Sequence, residues 1–111
     1  AAHSNNLEEM MEELLDFDRT AGAVLDWASK HPGTLVVITA DHNTGAFALT
    51  GGSREQGEIT GRFGSGSHDG VAVPVYAFGA GSGDFTGIYG STDIFNKIMN
   101  ALKKGADKPV R

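Results

Sequence analysis

The chain has 111 residues, 40% of them apolar and 21% charged, with a formal charge of −5. That suits one ordinary domain core and is the wrong sign for nucleic acid or an anionic membrane as main partner. No apolar run approaches the roughly 18 residues of a membrane span, and zero cysteines exclude disulfides and thiolate metal ligands.

From Leu7 to about Ser29, apolar residues recur at helical spacing: Leu7, Met10, Met11, Leu14, Phe17, Ala21, Val24, Leu25 and Ala28. Glu8, Glu9, Glu12, Glu13 and Asp16 take the other side, and Lys30 lies at the end, matching the helix dipole. Asn5 or Asn6 is the expected N-cap, and His31-Pro32-Gly33 the stop. Leu35 to Ile38 is a continuous β-branched run, the pattern of a strand covered on both faces. Ala46 to Thr50 reads as a short second strand. Gly51 to Gly70 is polar and Gly-rich, and is expected to be a loop of about twenty residues, long enough to be functional. Val71 to Phe78 is a further strand, which Pro74 confines to an edge or a bulge. Gly79 to Gly90 is loop again. Ser91 or Thr92 then caps a last helix with Ile94, Phe95, Ile98, Met99 and Leu102 on one face. Lys103 and Lys104 stand in its final turn, Gly105 is the stop, and a frayed tail runs from Ala106 to Arg111.

This order predicts an α/β fold, but two or three strands make a poor free-standing sheet. The chain is therefore expected to be one part of a larger, mostly parallel sheet flanked by helices, with other strands outside it. It carries no signal-peptide pattern and opens without Met, which leaves room for a leader removed by cleavage.

The chemistry gathers at element ends. Asp41-His42 directly follows the buried-type strand, where ligands bind in open parallel sheets. Successive strand residues face opposite ways, so both can reach one ion only if the backbone turns after Ala40; Asn43-Thr44-Gly45 suits such a turn. His3 opens the chain and His68 sits in Gly64-Ser-Gly-Ser-His-Asp-Gly. Three imidazoles and a carboxylate suit zinc and leave positions open for water and substrate. Taken singly, each has a plainer reading: Asp41-His42 as a cap or surface turn, His68 as a solvated loop residue, His3 as an uninformative terminal residue. His31 is assigned to the helix dipole. Asp69 reads equally as a partner supporting the site or as a turn residue, and Arg54 and Arg62 as contacts for an anionic substrate or as solvated side chains.

The stretch Leu35-Val-Val-Ile-Thr-Ala-Asp-His-Asn-Thr-Gly resembles the alkaline phosphatases, in which an Asp-His pair in this setting holds the second zinc. Ala1-Ala2-His3-Ser-Asn-Asn, followed by an acidic helix with Leu15-Asp16-Phe17-Asp18, is similar to the segment around a first-zinc histidine. Gly66-Ser-His-Asp-Gly-Val-Ala-Val-Pro-Val-Tyr-Ala-Phe-Gly resembles the loop and strand carrying the other first-zinc histidine, with Asp69 where Thr is common. Ser91-Thr-Asp-Ile-Phe-Asn-Lys-Ile-Met resembles the family's last helix.

The resemblance implies that residues 1–111 are the C-terminal part of one alkaline phosphatase-like domain of bacterial type. His3 and His68 would ligate the first zinc, Asp41 and His42 the second. Two metals about 4 Å apart can clamp the attacking and leaving oxygens of an in-line phosphoryl transfer. The intact enzyme would hydrolyse phosphate monoesters with two zinc ions and a magnesium. Its nucleophile would be a serine in an Asp-Ser dipeptide, which this chain lacks. That serine, the phosphate-gripping arginine, the magnesium-binding glutamate and an aspartate four positions before His3 would all lie upstream. The expected partners are a phosphate monoester and the N-terminal remainder of the enzyme; the oligomeric state stays open, a homodimer included. The resemblance alone implies a periplasmic or secreted location. One rival is another metalloenzyme of the same superfamily, a phosphodiesterase or a phosphoglycerate mutase. The other is a metal-binding fragment without catalysis, so the isolated chain is expected to be inactive.

Overall fold

The computed structural model describes residues 1–106; the tail expected beyond Ala106 lies outside the described residues. In chain order the elements are α1 (Leu7–Ser29), β1 (Leu35–Thr39), β2 (Asn43–Thr44), β3 (Ala48–Ser53), β4 (Glu58–Arg62), β5 (His68–Asp69), β6 (Val75–Gly79) and α2 (Asp93–Ala106). They divide into two compact units. One comprises Ala1–Arg19 and Ala40–Val73, the other Thr20–Thr39 and the residues from Pro74 onward.

Helix α1 has the span its apolar spacing predicts. Asn6 is the cap: its Oδ1 accepts the Glu9 N–H at 3.2 Å, satisfying one of the four orphan donors of the first turn. Asn5, just outside, takes the left-handed conformation with φ 53, which asparagine tolerates better than most residues. At the other end the Lys30 and His31 amides donate to the Trp27 and Ala28 carbonyls. His31 Nδ1 also donates to the Trp27 carbonyl at 2.7 Å, with its ring stacked on the indole at 3.8 Å. His31 thus sits at the negative end of the helix dipole, as read from the sequence.

In the unit containing Ala40–Val73, β3 and β4 form an antiparallel hairpin from Ala48↔Arg62 to Ser53↔Glu58, with a bulge between Leu49 and Gly51. This corrects the expected twenty-residue loop. The hairpin escapes a hydrophobicity reading because it is almost wholly exposed, so no buried face imposes alternation. Inside its base Phe47 lies across Gly61, where a Cβ would collide with the Phe47 ring, and packs against Phe63 at 5.0 Å between centroids.

In the other unit β1 pairs antiparallel with β6, from Leu35↔Gly79 to Thr39↔Val75. The strand expected over residues 71–78 begins only at Val75, after Pro74, which has no N–H to give to a ladder. Leu35 to Ile38 are half-buried and not covered on both faces; among the described residues β6 is the one strand beside β1. The segment expected to be loop after Gly79 contains a 3-10 turn, Ser82–Phe85, which buries Phe85. Lys97 of α2 donates to the Asp84 carbonyl and Lys104 pairs with the Asp84 carboxylate, each at 2.6 Å. At the start of α2 the Asp93 carboxylate accepts the Gly90 N–H, and the helix runs through Gly105 to Ala106 and does not stop at the glycine. Among the described residues the buried apolar side chains are Ala28 and Phe85, while Phe17 of α1 and Phe95 of α2 remain 53% and 67% exposed. The chain thus has the mixed helix and strand of an α/β fold with little core of its own.

Candidate metal centre

The unit formed by Ala1–Arg19 and Ala40–Val73 brings three separate segments to one place. The backbone leaves the strand direction after Thr39 and bends at Asp41 and His42. Asp41 Oδ1 accepts the His42 N–H at 3.0 Å. The bend removes the alternation of a regular strand, and Asp41 Oδ2 comes within 3.3 Å of His42 Nε2. Beyond it β2 pairs with β5 in the register Asn43↔Asp69 and Thr44↔His68, which lays His68 beside the corner. The rings of His42 and His68 stack at 3.6 Å between centroids. His3 arrives from a short 3-10 turn, Ala2–Ser4, and its Nε2 lies 2.8 Å from His68 Nε2 across a separation of 65 residues.

Gly45 makes the approach of the His3 segment feasible. Its φ is +79, and a Cβ there would lie 2.8 Å from Phe63 Cδ1, 3.2 Å from the Ala2 carbonyl oxygen and 3.3 Å from Asn5 Oδ1. Asn5 also donates from Nδ2 to the Ser65 carbonyl at 3.0 Å, fastening the same segment to the Gly-rich loop before His68. The Gly-rich loop expected to be functional is thereby tied to the His3 segment just before His68.

His3, His42 and His68 each offer a ring nitrogen within 4.8 Å of the others. His42 is half-buried; His3 and His68 are exposed. Two ligand atoms on a tetrahedral zinc, each about 2.0–2.1 Å from the ion, are about 3.3–3.4 Å apart. The Asp41 Oδ2 to His42 Nε2 separation of 3.3 Å matches that spacing. His3 and His68 at 2.8 Å would open by roughly half an ångström to reach it, a small rotation for exposed rings.

Tautomers sharpen the test. His42 Nδ1 lies 3.1 Å from Thr44 Oγ1 and 3.3 Å from the Asn43 carbonyl, which can only accept. A proton held at Nδ1 leaves a lone pair on Nε2, facing the Asp41 carboxylate. Two acceptor atoms that close repel one another unless a proton or a cation lies between them. The donor set and its spacing fit a metal ion of zinc type.

The remaining candidates divide clearly. Asp41 stays beside His42, its side chain 86% exposed, and is outside the three-histidine group. Asp69 takes four hydrogen bonds: from Asn43 Nδ2 to both carboxylate oxygens at 3.0 and 2.9 Å, from the Ala46 N–H and from the Val71 N–H. The Val71 amide first, then Asn43, hold its carboxyl below the usual aspartate value against a weaker opposing desolvation. Arg54, in the hairpin turn, and Arg62, at the end of β4, are exposed. Ser4, Ser53 and Ser65 are each spent on a local backbone hydrogen bond. Sequence reading overlooks Thr44, which steers the His42 ring, and takes Asn43 only as a turn residue; the signal for both is their pairing with His68 and Asp69 on β5.

Comparison with known proteins bears on this arrangement. The family model for alkaline phosphatase matches residues 1–61. The chain is 32% identical over 119 positions to streptomycin-6-phosphate phosphatase of Streptomyces griseus, covering 91% of this chain and 26% of that protein. It is 43% identical over 49 positions to alkaline phosphatase 3 of Bacillus subtilis (strain 168), covering 44% and 11%. The solved alkaline phosphatase from the Antarctic bacterium TAB5 superposes with a TM-score of 0.83 at 38% identity, covering 92% of this chain and 31% of that one. A variant of the TAB5 enzyme has been solved with Mg bound. The chain spans about a quarter to a third of the length of the Streptomyces griseus and TAB5 relatives, which it matches over about nine-tenths of its own residues. Its strand pairs are thus those of an incomplete alkaline phosphatase-like domain, and the chain belongs to the alkaline phosphatase family.

Proposed function

We propose that the intact protein hydrolyses phosphate monoesters and that this chain supplies the C-terminal half of a two-zinc site. The observation that carries the reading is the meeting of His3 and His68, 65 residues apart, at 2.8 Å beside the Asp41–His42 corner. On this reading His3 and His68 hold one ion through Nε2, and Asp41 and His42 hold the other. The Asn43 carbonyl, which can only accept, keeps the His42 proton on Nδ1, with the Thr44 hydroxyl beside it, so that Nε2 is free to ligate. When bound, a pair of such ions would steady the attacking and departing oxygens of an in-line displacement at phosphorus. In this chain His3 and His68 present exposed faces, on which the remaining parts of such a site would be completed. On this reading the serine nucleophile, the phosphate-binding arginine and most ligands of a magnesium ion would lie outside this chain. The names of the relatives, two alkaline phosphatases and a streptomycin-6-phosphate phosphatase, favour a phosphate monoester as substrate class. Export to the periplasm or the medium accompanies the same reading, and cell fractionation checks it.

The test is hydrolysis of p-nitrophenyl phosphate by the purified intact protein, its loss to a chelator and its return with zinc. Partners that merely orient metal ligands are worth about 10–100-fold in affinity or activity, so removing a ligand in His42→Ala should cost more than about 100-fold. Full activity of His42→Ala, or of the chelated protein, would overturn the proposal.

A further inference from the structure

The ladder that brings His68 to His42 is only two residues long, Asn43–Thr44 against His68–Asp69. A two-stranded ladder of that length is too short to hold itself in water. It also leads straight into a left-handed corner: Gly45 at φ 79 and Ala46 at φ 45, the latter a conformation that costs a residue with a Cβ roughly 1–2 kcal/mol. Something outside the ladder must hold this geometry.

We propose that Asp69 is a positioning residue that sets the separation of His42 and His68, with Asn43 as its cross-strand counterpart. Each is the chain neighbour of one histidine, and their side chains meet directly: Asn43 Nδ2 donates to both oxygens of Asp69. The same carboxylate reaches past Asn43 to the Ala46 N–H at 3.1 Å, holding the strained corner. It also takes the Val71 N–H at 3.0 Å, fixing the direction in which the chain leaves β5. Asp69 thereby fastens the Asn43 side chain and two backbone points around the imidazole stack while its own carboxylate is fully committed. The assignment rests on the two-zinc reading above, since its use is to hold two imidazoles, one from each ion's ligand set, side by side before any ion arrives.

The test uses the intact protein with two variants, Asp69→Ala and the milder Asn43→Ala, and two readouts. In the metal-free protein, nuclear Overhauser contacts between the His42 and His68 rings should be present in the wild type and lost in both variants, while those between β1 and β6 persist. Zinc affinity, measured by competition with a chelator, should fall about 10–100-fold, the usual cost of removing a group that orients ligands. A carboxylate that only stabilised the loop would lower the unfolding midpoint and leave the zinc affinity of the folded protein untouched. Retained ring contacts with unchanged zinc affinity in Asn43→Ala overturn the inference. Absence of zinc binding in the wild type would sink the two-zinc reading, and the ring contacts alone would then decide the role of Asp69.

Discussion

Replacing Gly45 with alanine should damage the metal centre without touching any ligand. Two costs add. The backbone at φ +79 is left-handed, which a residue with a Cβ occupies at roughly 1–2 kcal/mol. The new methyl would lie 2.8 Å from Phe63 Cδ1, 3.2 Å from the Ala2 carbonyl oxygen and 3.3 Å from Asn5 Oδ1. Phe63 cannot swing away freely because its ring packs on Phe47 at 5.0 Å, and the Ala2 carbonyl moves only if the His3 segment moves with it. Overpacking of this kind costs about 1–3 kcal/mol. The sum is about 2–5 kcal/mol, much of it relieved by pushing His3 away from the corner that bears His42. The control is Gly66→Ala, where a Cβ meets nothing within 4 Å and a surface change is worth within about 0.5 kcal/mol. Urea unfolding of the intact protein, run beside a zinc titration, reads both effects. Gly45→Ala should lose zinc affinity and stability together, and Gly66→Ala neither. Equal behaviour of the two variants would refute the argument from steric approach.

Other expectations follow from charge and exposure. Lys104 beside Asp84, with Lys97 adding a smaller pull, holds that carboxyl below the ordinary aspartate value of 3.8. A depressed folded value means that the contribution to stability is present above about 3.8 and is lost as the pH falls through the lower folded value. Lys104→Met should return the Asp84 carboxyl toward its ordinary value, read from the titration of its carbon resonance; no movement would contradict the pairing. The isolated 111-residue chain should bind zinc weakly, fail to hydrolyse p-nitrophenyl phosphate, and bind a hydrophobic dye or aggregate, because Leu49, Phe95 and Leu102 are 69%, 67% and 62% exposed. A cooperative unfolding transition of the lone monomer, or robust turnover by it, would contradict this. His31→Ala should leave zinc affinity unchanged, since His31 serves the end of α1; a loss would place it in the site.

How far the sequence could be read depended on whether a side chain reports burial. Helix α1 was legible because its apolar residues repeat at 3.6 residues and Asn6 supplies a cap with its own chemistry. Leu35 to Ile38 were legible as strand by β-branching alone. The hairpin of β3 and β4 was not, because Glu58, Thr60 and Arg62 all lie in water and carry no periodic signal. For the centre itself, Asp41, His42, His3 and His68 were recognisable as residue types at element ends. The means of bringing them together was less visible: the two-residue ladder and the Asn43–Asp69 contact are pairings across 24 to 26 positions, which local reading cannot see, and the Thr44 hydroxyl is two residues from His42 but carries no pattern of its own.

The most direct test of the central claim is the anomalous diffraction of crystals of the intact protein grown with zinc. Two peaks about 3.5–4 Å apart are expected, one between His3 and His68 and the other against Asp41 and His42. A single ion bound by all three imidazoles, or zinc found only elsewhere in the protein, would contradict the account.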